Sequence, residues 1–319
     1  MKPFKLLVSV LVGMLAVGAT AYADKNLSIG TGATGGVYYA LGGGLAKVLT
    51  DNLPGTQVTA EVTGASVDNL KFIKSGKMDI GFTMADSASD AVQGVEKFKD
   101  SKVEARTLAA LYPNHMQVIT IDGTGINKLA DLKGKRISTG SPGSGTEVMA
   151  LRVLEAIGID KDKDVSRERL SVNESAGAMK DKKIDAFFWV SGVPAAAVTD
   201  LAATPGIKIK LLDHADAADA MNKKYGNLYT KGSIPANAYP GQDKAVANIQ
   251  VWNLLVVDAK MPEDLAYKIT KTVFDNQPDL VKVHKDASHI SLKTQGSTSP
   301  IPYHAGAKKY LKENGVTVQ

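Results

Sequence analysis

Two glycine-rich stretches hold the residues best suited to chemistry. Ile29-Gly-Thr-Gly-Ala-Thr-Gly-Gly36 brings Thr31 and Thr34 toward Tyr38, and Ile137-Ser-Thr-Gly-Ser-Pro-Gly-Ser-Gly145 brings Thr139, Ser141 and Ser144 toward Thr146. Apolar residues at helical spacing follow each stretch, so each should end at a helix N-terminus. Free backbone N–H groups and the helix dipole favour an anion at such a point. Neither loop contains an arginine. A carboxylate would therefore be held by neutral donors. Several N–H and O–H bonds to a charged oxygen, each worth about 1.5–3 kcal/mol, can offset its desolvation.

Other strand ends are expected to line the same cleft, because ligands of open α/β sheets collect beyond the carboxyl ends of the strands. They are Thr63-Gly-Ala-Ser66 leading to Asn69, then Ala85-Asp86-Ser87, and Trp189-Val-Ser-Gly-Val193-Pro194. Tyr112 lies near a predicted lobe crossing. Three of these residues have two readings. Asp86 either meets an ammonium on the ligand or caps a helix. Trp189 is either a core aromatic or a pocket wall. Tyr38 is in register with Leu41 and Leu45 and can be buried or touch ligand.

Enzyme chemistry fits less well. Gly30-x-Gly-x-x-Gly35 matches a dinucleotide fingerprint, but no acid follows at the end of the next strand; Glu61 is farther on and inside its strand. Ser144 sits between glycines, yet Pro142 stands where a nucleophile elbow needs glycine. His115, His214, His284, His289 and His304 form no metal-binding spacing, and Asp213-His-Ala-Asp216 reads as a solvated surface. The chain has no cysteine, which removes disulfides, thiolate metal sites and a thiol nucleophile. No cofactor, metal or catalytic residue is expected.

Positioning these loops requires strands and helices in alternation. Leu27–Gly30, Gln57–Val62 and Met78–Met84 read as strands, with helices from Tyr38 and over Val67–Lys74 closed by Gly76. Arg106–Ile121 reads as one long extended stretch. A second α/β run begins at Arg136 and resembles the first: Lys77-Met-Asp79 precedes a strand in one, Lys183-Ile-Asp185 in the other. Beyond Ala203 the pattern is irregular until a strand at Val251–Val257. Pro262-Glu-Asp264 then opens a helix, and the last segment, near His304–Asn314, is also helical. The expected fold is α/β: two lobes, each a mostly parallel sheet flanked by helices. Residues 24–113 with 256–319 form lobe I and 114–255 form lobe II, joined by two hinge crossings.

Composition sets the compartment. Lys2 and Lys5 precede an uncharged apolar run, Leu6–Ala19, and Ala21-Tyr-Ala23 is a small-x-small cleavage pattern. The segment reads as a signal peptide over 1–23, cleaved after Ala23, which places the mature chain in the periplasm. The formal charge of +5 over 319 residues, with no basic stripe, gives no reason to expect nucleic acid.

Gly32-x-x-Gly-Gly-Val-Tyr-Tyr39, Thr63-Gly-Ala-Ser-Val-Asp-Asn69, Asp79-Ile-Gly-Phe82 and Ser141-Pro-Gly-Ser-Gly-Thr146 together resemble the TAXI family of TRAP-transporter solute-binding proteins. So do Phe188-Trp-Val-Ser-Gly-Val-Pro194 and Pro302-Tyr-His-Ala-Gly306. The resemblance implies the two-lobed, type II-like periplasmic binding protein fold and a receptor for small carboxylates, including glutamate-like amino acids, dicarboxylates and oxo-acids, that hands its ligand to a TRAP-type membrane permease. A sensory role, presenting the ligand to a receptor, is the alternative. By motif position the resemblance places ligand contacts at Gly36, Val37, Tyr38, Ser66, Asn69, Ala85, Asp86 and Ser87. In the second half it places them at Ser141, Ser144, Gly145, Thr146, Trp189, Val193 and Pro194. Asp68 stands where Glu is common in the family, and Trp189 where smaller apolar residues are usual; the second bears on ligand size. A monomer is expected.

Overall fold

Apolar residues at i, i+3 and i+4 and short β-branched runs alternate through the first hundred residues, and the elements follow them. The structure, a computed structural model, describes residues 25–319. The expected signal peptide lies outside the described residues. The first unit is β1 (Lys25–Gly30), α1 (Val37–Asn52), β2 (Thr56–Glu61), α2 (Ser66–Ser75), β3 (Ile80–Met84) and α3 (Ala85–Gln93). Helix α1 buries Val37, Tyr38, Leu41, Leu45, Val48 and Leu49 along one stripe. Helix α2 stops at Gly76, whose φ of 71° is left-handed and favours glycine. Strand β4 (Ala105–Ile121) is the long extended stretch expected from the sequence.

The second unit repeats the plan: β5 (Arg136–Ser138), α4 (Gly145–Ala156), β6 (Ser166–Glu168), α5 (Val172–Lys180) and β7 (Ala186–Ser191). The irregular region holds α6 (Ala196–Ala202), β8 (Ile209–Leu211), α7 (Ala217–Tyr225) and β9 (Thr230–Ile234). The chain returns through β10 (Val246–Asp258) to α8 (Glu263–Asp275), α9 (Gln277–Val283) and α10 (Ala305–Glu313).

The internal repeat is visible in the hydrogen bonds. Ile29 pairs with Ile80 in parallel register, and Ile137 with Ala186. Asp79 Oδ2 accepts from Ser28 N at 2.9 Å, and Asp185 Oδ2 accepts from Arg136 N at 2.9 Å. Thr31 N donates to Glu61 O and Thr139 N to Glu168 O, both at 3.0 Å. The Lys-x-Asp motif thus does one job twice: its carboxylate ties the start of the third strand to the first.

The expected mostly parallel strands are present in each half, β1 with β2 and β3 and β5 with β6 and β7, and the crossing strands join the two sets into one sheet. It is mixed and continuous, in the order β2-β1-β3-β10-β4-β7-β5-β6, with β8 against β4 and β9 against β10. The reason lies in the crossing strands. β10 runs antiparallel to β3 and β4, and β4 antiparallel to β7. Pairing changes near the middle of both. β4 pairs with β10 over Ala105–His115 and with β7 over His115–Thr120. One hydrophobic core lies in the first unit around Leu41, Phe82 and Leu255, and another in the second around Phe187 and Val198. A third joins Leu70 and Met84 to Met149 and Phe188 and so spans both lobes. Among the described residues no helix is long and apolar enough to cross a membrane.

Candidate functional site

The N-termini of α1 and α4 meet across the gap between the lobes. The first N–H groups of a helix have no intrahelical acceptor, and no charged side chain caps either tip; Glu147, in the first turn of α4, is paired with Arg167 and Arg169. Gly36 precedes α1 without any side-chain cap. Its contact with the other lobe requires glycine: a Cβ here would lie 2.9 Å from the indole of Trp189. Gly145 is the counterpart in α4, since a Cβ there would meet Met84 and, at 2.8 Å, Ser66 Oγ. Between the tips lies a small cavity of about 30 Å³.

Nine of the residues expected to touch ligand line this cavity: Gly36, Val37, Tyr38, Ser66, Ser141, Ser144, Gly145, Thr146 and Trp189. The strand-end residues Thr63, Gly64, Ala65 and Ser191 also line it, together with Met84 and Asn114. None of the lining residues carries a charged side chain. Burial raises the Tyr38 hydroxyl well above its ordinary range, so it stays protonated. It donates to Asn253 Oδ1. Ser66 Oγ accepts from Met84 N at 3.1 Å, and Thr146 Oγ1 from Val190 N at 3.2 Å. Among the lining residues three buried side-chain polar atoms have no hydrogen-bond partner in the protein: Trp189 Nε1, Ser191 Oγ and Asn114 Oδ1.

Several expected contacts are bound into the scaffold instead. Ser144 is among the lining residues, but its hydroxyl is spent on capping: it donates to Ser141 O at 2.7 Å and accepts from Glu147 N at 3.0 Å. Asn69 is fully buried, and its Nδ2 donates to Gly30 O, Thr31 O and Phe82 O at 2.8–3.0 Å, bracketing the ends of β1 and β3. Ala85 and Ser87 are buried in the first turn of α3, outside the cavity lining. Tyr112 is buried in the first-lobe core. Val193 packs in the second-lobe core, its N–H held by Asp286 Oδ2 at 2.9 Å, and Pro194 O lies 3.1 Å from His284 Nε2. Thr34 is at the rim, where its Oγ1 accepts from Asn173 Nδ2 at 2.9 Å.

Asp86 follows neither reading from the sequence. It is the second residue of α3, whose N-cap is Met84, and it is fully buried away from the cavity. Its Oδ2 accepts from Tyr229 OH at 2.9 Å and lies 3.7 Å from Arg152 Nη1 on the opposite lobe. Arg152 also donates to Tyr229 OH at 2.7 Å and to Asp90 Oδ2 at 2.5 Å, and its guanidinium lies over the Tyr225 ring. Nothing local in the sequence marks this cluster, because Tyr229 is 143 positions from Asp86. Asn114 was also missed. Its signal was a polar residue inside the long strand, matched by Asn253 in the apolar run Val251–Val257.

Elsewhere the lobes are in direct contact. Val67 N and Asp68 N of the α2 tip both donate to Gly143 O at 3.1 Å, and Ala197 N donates to Gly35 O at 3.3 Å. The second lobe thus occupies the α2 amides, while those of α1 and α4 face the cavity.

Solved structures share this architecture. One is described as the structure of a periplasmic transporter: 12% identity, TM-score 0.56, covering 92% of this chain and 93% of that one. An ancestral arginine-binding protein bound to arginine matches at 16% identity, TM-score 0.52, over 83% of this chain and 98% of its own. A putative L-cystine ABC transporter from Listeria monocytogenes matches at 18% identity, TM-score 0.51, over 83% and 97%. At these identities the likeness is one of fold, and it agrees with the two-lobed α/β architecture. Sequence carries the relationship further: a family model matches residues 29–315, nearly all of the described chain, and the protein belongs to the NMT1-like family.

Proposed function

We propose that this chain is a periplasmic solute-binding protein that closes on one small carboxylate and delivers it to a TRAP-type permease, as a TAXI-type member of its family. The observation that carries the reading is the cavity itself: two opposed, uncapped or neutrally capped helix tips and no charged side chain in the lining. Such a site supplies several dipolar donors to one negative charge. It offers nothing for catalysis. Among the lining residues the one titratable side chain is Tyr38, which burial keeps protonated.

The lobes in this reading are residues 24–113 with 256–319, and 114–255. A ligand touching both favours the closed arrangement by its difference in affinity for the two states. The export segment at the N-terminus and the ordered set of motifs from Gly32 to Gly306 support the compartment and the transporter class.

A thermal-shift screen with short mono- and dicarboxylates, oxo-acids and amino acids tests it. A cognate ligand at 100 times its Kd should add about 2.7 kcal/mol of stability. Flat melting curves across the whole panel would overturn the carboxylate reading.

A further inference from the structure

The cavity's unpartnered atoms differ in kind, and their kinds restrict the ligand. Trp189 Nε1 can only donate. Trp189 and Ser191 stand two apart on β7 and therefore share a face. Asn114 is different. Its Nδ2 donates to Asn253 Oδ1 at 2.6 Å, which also takes the Tyr38 hydroxyl, while Asn253 Nδ2 donates to Tyr112 O at 3.2 Å. This chain fixes the amide of Asn114 with its oxygen left over. Of these three atoms, Trp189 Nε1 only donates, Asn114 Oδ1 only accepts, and Ser191 Oγ can do either; none is charged.

A negative partner for an ammonium is missing from the lining. The carboxylate best placed by the sequence, Asp86, is held by Tyr229 and by Arg152 outside the cavity. An α-amino acid would bury its positive charge against neutral oxygens alone, Asn114 Oδ1 and Ser191 Oγ, and beside two helix tips of positive character. A hydroxyl or oxo group in the same place carries no such charge. Either can accept from Trp189, and a hydroxyl can also donate to Asn114.

We propose that the cavity selects small carboxylates whose neighbouring polar group is an uncharged hydroxyl or oxo group, and rejects the matching α-amino acids, with Trp189 Nε1 donating to that group. The proposal rests on the carboxylate reading above and narrows it.

Calorimetry on the mature chain with two matched trios tests it: lactate, pyruvate and alanine, then 2-hydroxyglutarate, 2-oxoglutarate and glutamate. In a trio that binds, the hydroxy or oxo member should bind at least tenfold tighter than the amino member. Equal or tighter binding of alanine or glutamate overturns the proposal but leaves the carboxylate reading standing. Absence of binding by all six overturns both. Trp189→Phe keeps a six-membered aromatic ring and removes the donor together with the volume of the pyrrole ring. It should weaken the hydroxy or oxo ligand at least tenfold while the apo protein still melts cooperatively, and Ser191→Ala should weaken it to a smaller degree. If Trp189→Phe binds as tightly as the parent, the role given to the indole is wrong.

Discussion

The lobes meet at two places built on opposite rules. Around Arg152 the seam is charged, buried and hydrogen-bonded throughout: one guanidinium serves Asp90, Tyr229 and, at longer range, Asp86. Around the cavity the seam is neutral, and Trp189, Ser191 and Asn114 keep polar atoms without partners. A buried charge must be paired within the protein, because leaving it alone costs several kcal/mol. A buried neutral dipole can wait for a partner at lower cost. The charged seam therefore holds the lobes together, and in the proposed function the neutral one is left for a guest.

Breaking the charged seam should have the largest effect. Arg152→Met leaves two buried carboxylates without a cation and should cost about 3–5 kcal/mol of stability, as happens when one partner of a buried pair is removed. Chemical denaturation measures this; a loss under 1 kcal/mol would mean that the two seams do not differ as described. Next comes Gly145→Val. Its side chain would press on Met84 and Ser66 from the other lobe, so closure should fail. Ligand affinity should fall at least a hundredfold, about 2.7 kcal/mol, and small-angle scattering with ligand present should show the lobes held apart. Retained affinity with a compact profile would remove closure from the account.

A third effect is read as a slope with pH. Burial pushes the Asp90 carboxyl up to about 7, against the pull of Arg152. The folded state then binds a proton that the unfolded chain releases near pH 4. Stability from this group is full below pH 4 and declines as pH rises toward 7, by at most about 1.4 kcal/mol per unit. Asp90→Asn should flatten that decline. An identical pH profile for the melting temperatures of both proteins would show that Asp90 does not titrate there.

The sequence revealed most of what repeats and little of what is paired at a distance. Period and turn chemistry placed β1 to β3, the long β4, β5, β7 and the two glycine loops, and Lys-x-Asp revealed the duplication that Asp79 and Asp185 confirm in hydrogen bonds. The short strands β8 and β9 were hidden, since each takes its pairing from a distant edge of β4 or β10. The same limit governs the site. The loops could be found because glycines and hydroxyls cluster locally. Whether Ser144, Asn69 or Asp86 faces the cavity depends on Glu147 N, Phe82 O and Tyr229, and no single-chain pattern ranks those partners above a ligand.

Strands β4 and β10 pass unbroken from one lobe into the other and are paired to each other where they do so. Each lobe's sheet would lose an interior strand if its neighbour melted. The two halves, though built as copies, are consequently obliged to unfold as one calorimetric unit, and a swing between them must be a twist of this ribbon rather than a swivel about loose tethers.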